Sequence, residues 1–272
     1  RVFVYAPLPD RMNGFDGEDF THPDEVPIDG ATWLDAKDFN PAGPHGTLLA
    51  WRCPKLVPKL VGNGYPVVLW LMDPQYATGA FDYAEADDVV FLTETHKDII
   101  RDHDGFDGGG SVVHVGLPEL PALGSSNRDP KAVMWATSPD RGLLEFLQDR
   151  WPKVLEAVPD AKLHVFYGLE PLERGGKADL AKAIRTEMAL AGPSVIYHGG
   201  VPDAELYEWY QRCNVFAYPC VGFRETQSLA CCKALAFGCY PVTNNEGCLP
   251  EVIDACGGIH TSNERYAHEL VH

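Results

Sequence analysis

The chain has 272 residues, of which 45% are apolar and 22% charged, and its formal net charge is −17. This mixture is too apolar for a disordered chain. The longest unbroken apolar run, residues 67–72, is far shorter than the roughly 18 residues that indicate a membrane span. The acidic excess opposes long-range attraction to DNA, RNA or anionic lipid, because those partners attract clustered Lys and Arg.

The cysteines predict the redox setting. Seven of the eight lie between Cys213 and Cys256, and none forms a C-x-x-C pair or a zinc-ligand spacing. Free Cys in an apolar pattern behaves as a small buried hydrophobe. We therefore predict reduced thiols and, from them, a cytoplasmic location. No leader sequence is recognisable, and the start at Arg1 and stop at His272 are compatible with a trimmed product.

Short apolar runs alternate with helical patterns along the chain. Near-continuous apolar runs are typical of strands buried on both faces of a parallel sheet, so we predict an α/β fold with right-handed crossovers. The candidate strands are Val2–Tyr5, Val67–Leu71, Val89–Leu92, Val112–Val115, Val133–Ala136, Leu163–Tyr167, Val195–Tyr197, Val215–Tyr218 and Tyr240–Val242. The candidate helices are Leu143–Val158, Ala178–Ala191, Ala204–Arg212 and Thr226–Phe237, the last with Gly238 as a left-handed C-cap.

A polar stretch rich in Pro and Gly near residues 120–130 predicts a domain boundary. We expect an N-terminal domain over residues 1–122 and a C-terminal domain over 123–260. Residues 261–272 are expected to begin a helix that leads back toward the first domain. Two doubly wound domains would face each other across a cleft, and open parallel sheets bind ligands at the carboxyl ends of their strands.

Several common motifs are absent from the sequence. It contains no G-x-G-x-x-G after the first strand, no Walker A motif and no H-E-x-x-H. Asp102-His103-Asp104 matches the short D-x-D of metal-dependent sugar transferases, but the pattern is common by chance and precedes a Gly-rich loop. We therefore predict no metal site.

The first informative stretch, residues 136–143, follows a candidate strand and opens a helix. Small polar residues such as Ser138 leave backbone N–H groups free at such a turn, and a helix N-terminus favours an anion. Arg141 adds a forked positive charge suited to a phosphate. The alternative is that Arg141 is only a surface residue of the helix.

The second informative stretch, residues 218–229, again joins a strand to a helix. Glu225 lies where the predicted helix begins. Its carboxylate either caps that helix or points into the cleft to bind sugar hydroxyls.

Together these motifs resemble those of a known family. The order is a strand, S-x-x-R-G-L, a helix with W-P, P-x-A-x-L, Y-G, H-G after a strand, and then Y-P…E-T…A-x-A-x-G-x-x-P-V. It is similar to the C-terminal domain of retaining glycosyltransferases of the GT-B fold, family 4, over about residues 132–253. The segments 68–74 and 86–100 resemble that family's N-terminal domain more weakly.

The resemblance implies a site for a nucleotide-diphosphate sugar, mostly on the C-terminal domain. Arg141, with Ser138 and Gly142 beside it, would bind the diphosphate, and Glu225 would contact the donor sugar. Three further residues would offer backbone N–H groups to sugar and phosphate, and such groups are unpaired by helix geometry. They are Thr226, Gln227 and Ser228.

Two positions depart from the family pattern. Lys233 stands where a second Glu usually holds the nucleotide ribose, and an ammonium cannot accept hydrogen bonds from hydroxyls. Lys233 either helps to hold the donor through charge or pairs with a carboxylate such as Glu246 or Glu251. Met72 replaces a cleft His, which leaves Asp73 as the nearest polar candidate for a catalytic group.

The predicted function is sugar transfer from a nucleotide-diphosphate sugar with retention at the anomeric carbon. No cofactor beyond the donor substrate and no metal are expected. The acceptor is an unidentified glycan or small molecule, or less readily modified DNA. Three alternatives stay open at this point: a GT-B nucleotide-sugar epimerase, a nucleotide-sugar-binding protein without catalysis, and a phage-type transferase acting on DNA bases.

Overall fold

The computed structural model describes residues 2–6, 11–13, 19–21, 26–28, 31–35, 38–40, 43, 46–76, 83–122 and 128–271. We call the described residues up to 122 the N-terminal half and those from 128 the C-terminal half. Across these residues, no helix combines the length and the apolar character that crossing a membrane requires.

The N-terminal half contains a four-stranded parallel sheet with the strand order β6-β7-β8-β9. Two smaller sheets precede it: β1-β5-β4, in which β4 runs antiparallel to β5, and the antiparallel pair β2-β3. The strands are β1 Val2–Ala6, β2 Arg11–Asn13, β3 Asp19–Thr21, β4 Val26–Ile28, β5 Ala31–Asp35, β6 Leu48–Trp51, β7 Val67–Trp70, β8 Asp88–Phe91 and β9 Ser111–Val112. The helices are α1 Val57–Leu60 and α2 Glu94–Asp104.

The C-terminal half is built on one six-stranded parallel sheet with the order β12-β11-β10-β13-β14-β15. Its strands are β10 Asp129–Trp135, β11 Lys162–Phe166, β12 Val195–Gly199, β13 Cys213–Tyr218, β14 Tyr240–Asn244 and β15 Ile259–Thr261. Its helices are α3 Leu143–Glu145, α4 Trp151–Ala157, α5 Glu170–Arg174, α6 Ala178–Ala191, α7 Asp203–Arg212, α8 Leu229–Ala236, α9 Leu249–Cys256 and α10 Tyr266–Glu269.

A single apolar core holds the C-terminal half together. Trp135 on β10 and Trp151 on α4 are almost fully buried and contact Phe146 between them. Burying each side chain of this size stabilises the fold by roughly 1.5–3 kcal/mol. The carboxyl-terminal parts of β10, β11, β13 and β14 are buried, as the sequence predicts, whereas the edge strand β12 exposes Ile196 and Tyr197.

The helix predicted over residues 143–158 is interrupted. A π-helical turn, Phe146–Arg150, joins α3 to α4, and Pro152 lies in the first turn of α4. Proline has no backbone N–H and its ring collides with the carbonyl four residues earlier, so a regular helix cannot pass through it. The wider turn accommodates that collision.

The α/β class is confirmed, and some boundaries differ from the prediction. Helix α8 begins at Leu229 rather than at Thr226, and Gly238 after it has a φ of +72°, as the predicted C-cap requires. Strands β2 to β6 and β15 and helices α1, α2, α5 and α9 were not predicted from the sequence. Residue 260, the predicted end of the second domain, falls inside β15. Beyond it, α10 forms within the segment expected to begin a helix, and Tyr266 packs into the C-terminal core. The predicted domain bounds and the direction of this segment remain predictions.

Candidate functional site

The site lies where the loops after the strands of the six-stranded sheet meet. The loop after β10 and the loop after β13 are bonded together, because Val221 N donates to Arg141 O at 3.0 Å. Gly142 is required at this contact: it has a φ of +109°, and a Cβ there would lie 2.8 Å from the carbonyl oxygen of Pro219. Two loops that are distant in sequence are thus held as one surface.

Arg141 and Glu225 form an ion pair across these loops. Arg141 Nη1 donates to Glu225 Oε2 at 2.9 Å, and the hydroxyl of Tyr218 donates to the same oxygen at 2.7 Å. The other oxygen, Oε1, accepts the N–H of Thr226 at 3.2 Å. Glu225 is only 5% exposed, so its carboxylate is held almost entirely by protein donors.

The Arg141 side chain is more open than its partner. It is 30% exposed, and its guanidinium carbon lies 3.9 Å from the centroid of the Phe223 ring. The ring supports one face of the fork and Glu225 holds one end. With 30% of its side chain exposed, Arg141 remains accessible to an anion.

The charges at this site are fixed. Burial opposes the charged form of Arg141, but the Glu225 carboxylate and the hydroxyl oxygen of Tyr218 outweigh that effect and raise its pKa. Burial, followed by the nearby Glu225 charge, raises the pKa of Tyr218 well above its ordinary value. Tyr218 therefore stays protonated and acts as a hydrogen-bond donor to the carboxylate.

The loop that carries Glu225 is also held from behind. Cys248 N donates to Glu225 O at 2.9 Å. Gly247 has a φ of +55°, and a Cβ there would lie 2.3 Å from that same carbonyl oxygen, so only glycine fits. Glu225 is consequently fixed both through its backbone and through its carboxylate.

Ser138 serves the loop after β10. Its hydroxyl donates to Asp140 Oδ1 at 2.6 Å, and Lys177 binds the other oxygen of Asp140. Burial opposes the charge of Asp140, but the bonds from Lys177 and Ser138 outweigh it and lower the pKa. The hydroxyl is thus engaged within the protein, and the predicted contact of Ser138 with a donor remains a prediction.

A cavity of about 420 Å³ opens beside these loops. Its walls come from the end of β11, from residues that follow β10, β11 and β12, and from helices α5, α7 and α8. They include Ala136, Tyr167, Gly168, Gly200, Asp203, Leu229 and Lys233. Tyr167 has a φ of +80° and is 43% exposed, so its ring stands at the cavity wall at a cost in backbone strain of about 1–3 kcal/mol.

Lys233 lines this cavity and has a carboxylate partner. Its ammonium lies 3.7 Å from Asp203 Oδ2 and 5.3 Å from the centroid of the Tyr207 ring. The hydroxyl of Tyr207 donates to the same carboxylate oxygen at 3.1 Å. The sequence analysis named Glu246 or Glu251 as possible partners of Lys233, and the partner in the structure is Asp203.

The residues after Glu225 turn toward the N-terminal half. Thr226 Oγ1 donates to Met72 O at 2.8 Å, and the Gln227 carboxamide binds both the N–H and the carbonyl of Val115. Ser228 is left-handed, with a φ of 56°, and directly precedes helix α8. Their predicted donor-binding role through backbone N–H groups remains a prediction.

Asp73 lies on the N-terminal side of the same junction. Arg52 binds its carboxylate through two hydrogen bonds, and this pair is partly exposed. The hydroxyl of Tyr76 accepts the N–H groups of Met72 and Asp73 at 2.7 and 3.0 Å. The Asp73 carboxylate is thus already paired with Arg52. Its catalytic role remains a prediction.

His96, which the sequence did not single out, is fully buried and contacts the backbone of Asp73. Its Nδ1 accepts the N–H of Leu92 at 3.1 Å, and its Nε2 lies 3.0 Å from Asp73 O. These partners require the neutral form with the proton on Nε2. Burial lowers the pKa of His96, which agrees. The signal available in the sequence was its position: His96 is the third residue of a helix whose N-cap is Thr93.

Other sequence features have local roles. Asp104 binds His103 Nδ1 at 2.7 Å and the hydroxyl of Tyr83, and Asp102 pairs with Arg101, so both carboxylates of the D-x-D pattern are engaged at the end of α2. Within the described residues, no three His, Cys, Asp or Glu side chains are grouped as a metal site requires. The cysteines that the structure describes are free thiols. They are Cys53, Cys213, Cys220, Cys231, Cys232, Cys239 and Cys248.

Comparison with known families decides the affiliation. The model of the family described as glycosyl transferases group 1 matches residues 132–271, which is more than half of the chain. The chain belongs to this family. The match covers the six-stranded sheet except the first three residues of β10, and it includes the Arg141–Glu225 pair and the cavity. No curated protein matches the sequence.

Solved structures confirm that this group 1 family member has the GT-B fold. A Burkholderia vietnamiensis α,α-trehalose-phosphate synthase (UDP-forming) has a TM-score of 0.62 at 11% identity, covering 82% of this chain and 64% of that one. A point mutant of S. aureus TarM, in complex with fondaparinux, α-GlcNAc-glycerol and UDP, has a TM-score of 0.56 at 14% identity. This match covers 80% of this chain and 46% of that one. Anabaena Alr3699/HepE, in complex with UDP and glucose, has a TM-score of 0.55 at 16% identity. This match covers 77% of this chain and 61% of that one. The chain thus spans about half to two thirds of the length of these structures.

Proposed function

We propose that this chain transfers a sugar from a nucleotide-diphosphate sugar to an acceptor, with retention at the anomeric carbon. The family membership and the GT-B fold support sugar transfer. The observation that carries the proposal is the Arg141 guanidinium, held by Glu225 and partly exposed at the edge of the sheet. A fixed, forked cation at this edge suits a diphosphate.

The nucleoside is proposed to occupy the cavity at the same edge of the sheet as Arg141. Its volume of about 420 Å³ lies within the usual range for small-molecule pockets, roughly 300–1,000 Å³. The exposed Tyr167 ring offers a stacking surface for a base. Lys233 provides a hydrogen-bond donor and Asp203 a hydrogen-bond acceptor on the cavity wall, and both can bind ribose hydroxyls. Because TarM and HepE were solved with UDP, UDP is the first nucleotide to test.

The diphosphate is proposed to lie between Arg141 and the start of helix α8. The first N–H groups of a helix have no intrahelical partners and attract an anion. The loop around Ser228 brings these groups to the same edge as Arg141. When the bond from sugar to phosphate breaks, the negative charge that grows on the leaving diphosphate would meet positive groups already in place. We propose that these fixed groups act without a metal.

The acceptor is proposed to approach from the N-terminal half. Asp73, fixed by Arg52 and by the Tyr76 hydroxyl, lies next to the residue that Thr226 binds. The acceptor hydroxyl would therefore meet the donor sugar between Asp73 and Glu225. A closed junction would also exclude water, which otherwise hydrolyses the donor. We propose a glycan or a small molecule as the acceptor, and the free thiols support a cytoplasmic location.

A donor assay tests the proposal. Wild-type protein is incubated with UDP-glucose, UDP-GlcNAc and GDP-mannose, with and without a panel of glycan and small-molecule acceptors, and anomeric configuration is followed by NMR. Acceptor-dependent products that keep the donor's anomeric configuration support it. A changed sugar without any acceptor would indicate an epimerase. Tight binding without turnover across the panel would indicate a binding protein.

A further inference from the structure

The loop that carries Glu225 docks onto the N-terminal half through its next two side chains. Thr226 donates its hydroxyl to Met72 O at 2.8 Å. Gln227 Nε2 donates to Val115 O at 2.7 Å, and Gln227 Oε1 accepts Val115 N at 2.8 Å. The carboxamide thus pairs with both backbone groups of one residue, as a neighbouring strand would.

A second contact joins the halves at the start of helix α2. Glu251 on α9 accepts the N–H of Glu94 at 3.0 Å and the N–H of Thr95 at 2.8 Å. These amides belong to the first turn of the helix and lack intrahelical partners. Burial opposes the charge of Glu251, but the bonds from Thr95 and Glu94 outweigh it and lower the pKa.

Thr93 connects the two contacts. Its Oγ1 accepts the N–H of His96 and so caps α2, and it also donates to the carbonyl oxygen of Thr226 at 2.9 Å. Thr93 is fully buried, and Thr226 and Gln227 are 5% and 6% exposed. Buried polar groups of this kind must keep their partners, because an unmade bond leaves the desolvation cost uncompensated.

The loop itself has little regular structure to hold it. Residues 225–228 are not helical, and α8 begins only at Leu229. The main bonds that fix Thr226 and Gln227 therefore come from the other half of the molecule. Since Thr226 N also bonds to Glu225 Oε1, a displaced Thr226 would release one of the donors that hold this carboxylate.

We propose that Thr226 and Gln227 are positioning residues that couple the docking of the two halves to the placement of Glu225 and Arg141. In this account the donor side of the site is complete only when Met72, Thr93 and Val115 are engaged. The coupling deepens the proposed function, because it names how the acceptor side would control the donor side. Its structural part can be tested without any activity.

Amide hydrogen exchange in Gln227→Ala measures the coupling directly. The substitution removes both bonds to Val115, so exchange at the Val115 N–H is expected to rise at least about 10-fold, equal to ~1.4 kcal/mol. Coupling further predicts faster exchange at Glu94 and Thr95, whose partner Glu251 is untouched, and at Val221, which bonds to Arg141. Gln148→Ala is the matched control, because Gln148 makes one exposed contact with Glu187.

Thr226→Val provides a second, milder variant that removes only the hydroxyl. It is expected to raise exchange at the same remote amides, while Thr186→Val, which removes a comparable hydroxyl bond within helix α6, changes none of them. Faster exchange confined to Val115 in Gln227→Ala, with the remote amides unchanged in both variants, would overturn the coupling. Urea titration of each variant checks that global unfolding does not produce the rise.

Nucleotide affinity separates this coupling from the proposed function. If wild type binds UDP, both variants are expected to bind it at least about 5-fold more weakly, or ~1 kcal/mol, although neither side chain faces the cavity. Unchanged UDP affinity would show that Glu225 and Arg141 are placed independently of docking and would overturn the proposal. If wild type binds no nucleotide, that result counts against the proposed function. The coupling is then decided by the amide hydrogen exchange of the two variants.

Discussion

Arg141 Nη1 lies 2.9 Å from Glu225 Oε2, and these two residues come from loops after different strands of the same sheet. Glu225 is buried, whereas Arg141 keeps 30% of its side chain exposed. The pair therefore has two roles at once. It neutralises a buried carboxylate, and it aims a cation at the surface where a ligand is proposed to bind.

The first prediction concerns stability. Arg141→Ala leaves the Glu225 carboxylate without its cation, and breaking a buried pair by removing one partner costs about 3–5 kcal/mol. Because Arg141 is partly exposed, we expect a smaller loss of unfolding free energy, about 1–3 kcal/mol. Urea denaturation measures it. Arg212→Ala is the control, since Arg212 and Glu208 form an exposed pair, and it should cost less than about 1 kcal/mol. Equal costs for both variants would contradict the structural role of the pair.

The second prediction concerns turnover. Glu225→Gln keeps the shape of the side chain and removes its charge, so Arg141 loses its ionic partner. We expect turnover of the sugar donor to fall at least ~10-fold, equal to ~1.4 kcal/mol of transition-state stabilisation, with donor affinity changed less. Glu208→Gln is the matched control on the surface of α7 and should leave the rate unchanged. A variant that loses only thermal stability and keeps its rate would reduce Glu225 to a structural residue.

The sequence predicted the elements whose signals are local. Helix α6 has the predicted bounds, Ala178–Ala191, because its apolar period is regular. The start of α8 at Leu229 was not predictable, because Thr226 and Gln227 leave the helical path to bind Met72 and Val115. Such bonds join residues more than 100 positions apart, and no local propensity encodes them.

In the candidate site, too, residues with a local sequence signal were predicted, whereas contacts between distant residues were not. Arg141 and Glu225 were both singled out, since each lies at a turn from strand to helix, but their pairing was not foreseen. Arg141 was interpreted as a phosphate ligand or a surface residue of the helix, and Glu225 as a helix cap or a ligand of sugar hydroxyls. An ion pair between the two was not among these alternatives. Asp203 was missed, because its contact with Lys233 joins two helices whose relative position only the tertiary structure defines.

The third prediction concerns the cavity. If Asp203 accepts from ribose hydroxyls, Asp203→Asn should reduce the preference for UDP over 2′-deoxy-UDP, with an expected change of about 5- to 10-fold for one hydrogen bond to a charged group. Isothermal titration calorimetry measures both affinities. A preference that is the same in wild type and variant would remove Asp203 from the nucleotide site.

The fourth prediction concerns Lys233 and the phosphates. Lys233→Glu places two carboxylates together in the cavity wall, and it should weaken UDP more than uridine, because the added negative charge opposes phosphate. The series of uridine, UMP and UDP is measured for wild type and variant. Equal affinities across the whole series for both proteins would show that Lys233 plays no part in donor recognition.

The fifth prediction concerns pH. Burial, followed by the neighbouring His198, lowers the pKa of His164 to about 4. Between pH 6.5 and 4 the unfolded chain therefore binds a proton at this residue that the folded chain does not, so stability falls as the pH falls. We expect the loss from His164 to reach up to about 3 kcal/mol at pH 4.

Denaturation at several pH values tests this expectation. His164→Gln removes the titrating group, so the slope of unfolding free energy against pH should be shallower between pH 6.5 and 4 than in wild type. Gln148→Ala, at a position without a titrating side chain, is the control and should keep the wild-type slope. An unchanged slope in His164→Gln would show that His164 titrates equally in the folded and unfolded chains.

The central claim, that Arg141 binds the diphosphate of a sugar donor, is tested most directly by calorimetric titration with nucleoside diphosphates. Wild type and Arg141→Lys are titrated with UDP, GDP, ADP, CDP and TDP, since the lysine variant keeps a cation beside Glu225 and limits the loss of stability. The account predicts that wild type binds at least one of them. It also predicts that the variant binds the same one about 10-fold more weakly or worse, because an ammonium cannot form the forked contact. Wild-type affinity retained in the variant, or no binding of any diphosphate by wild type, would contradict it.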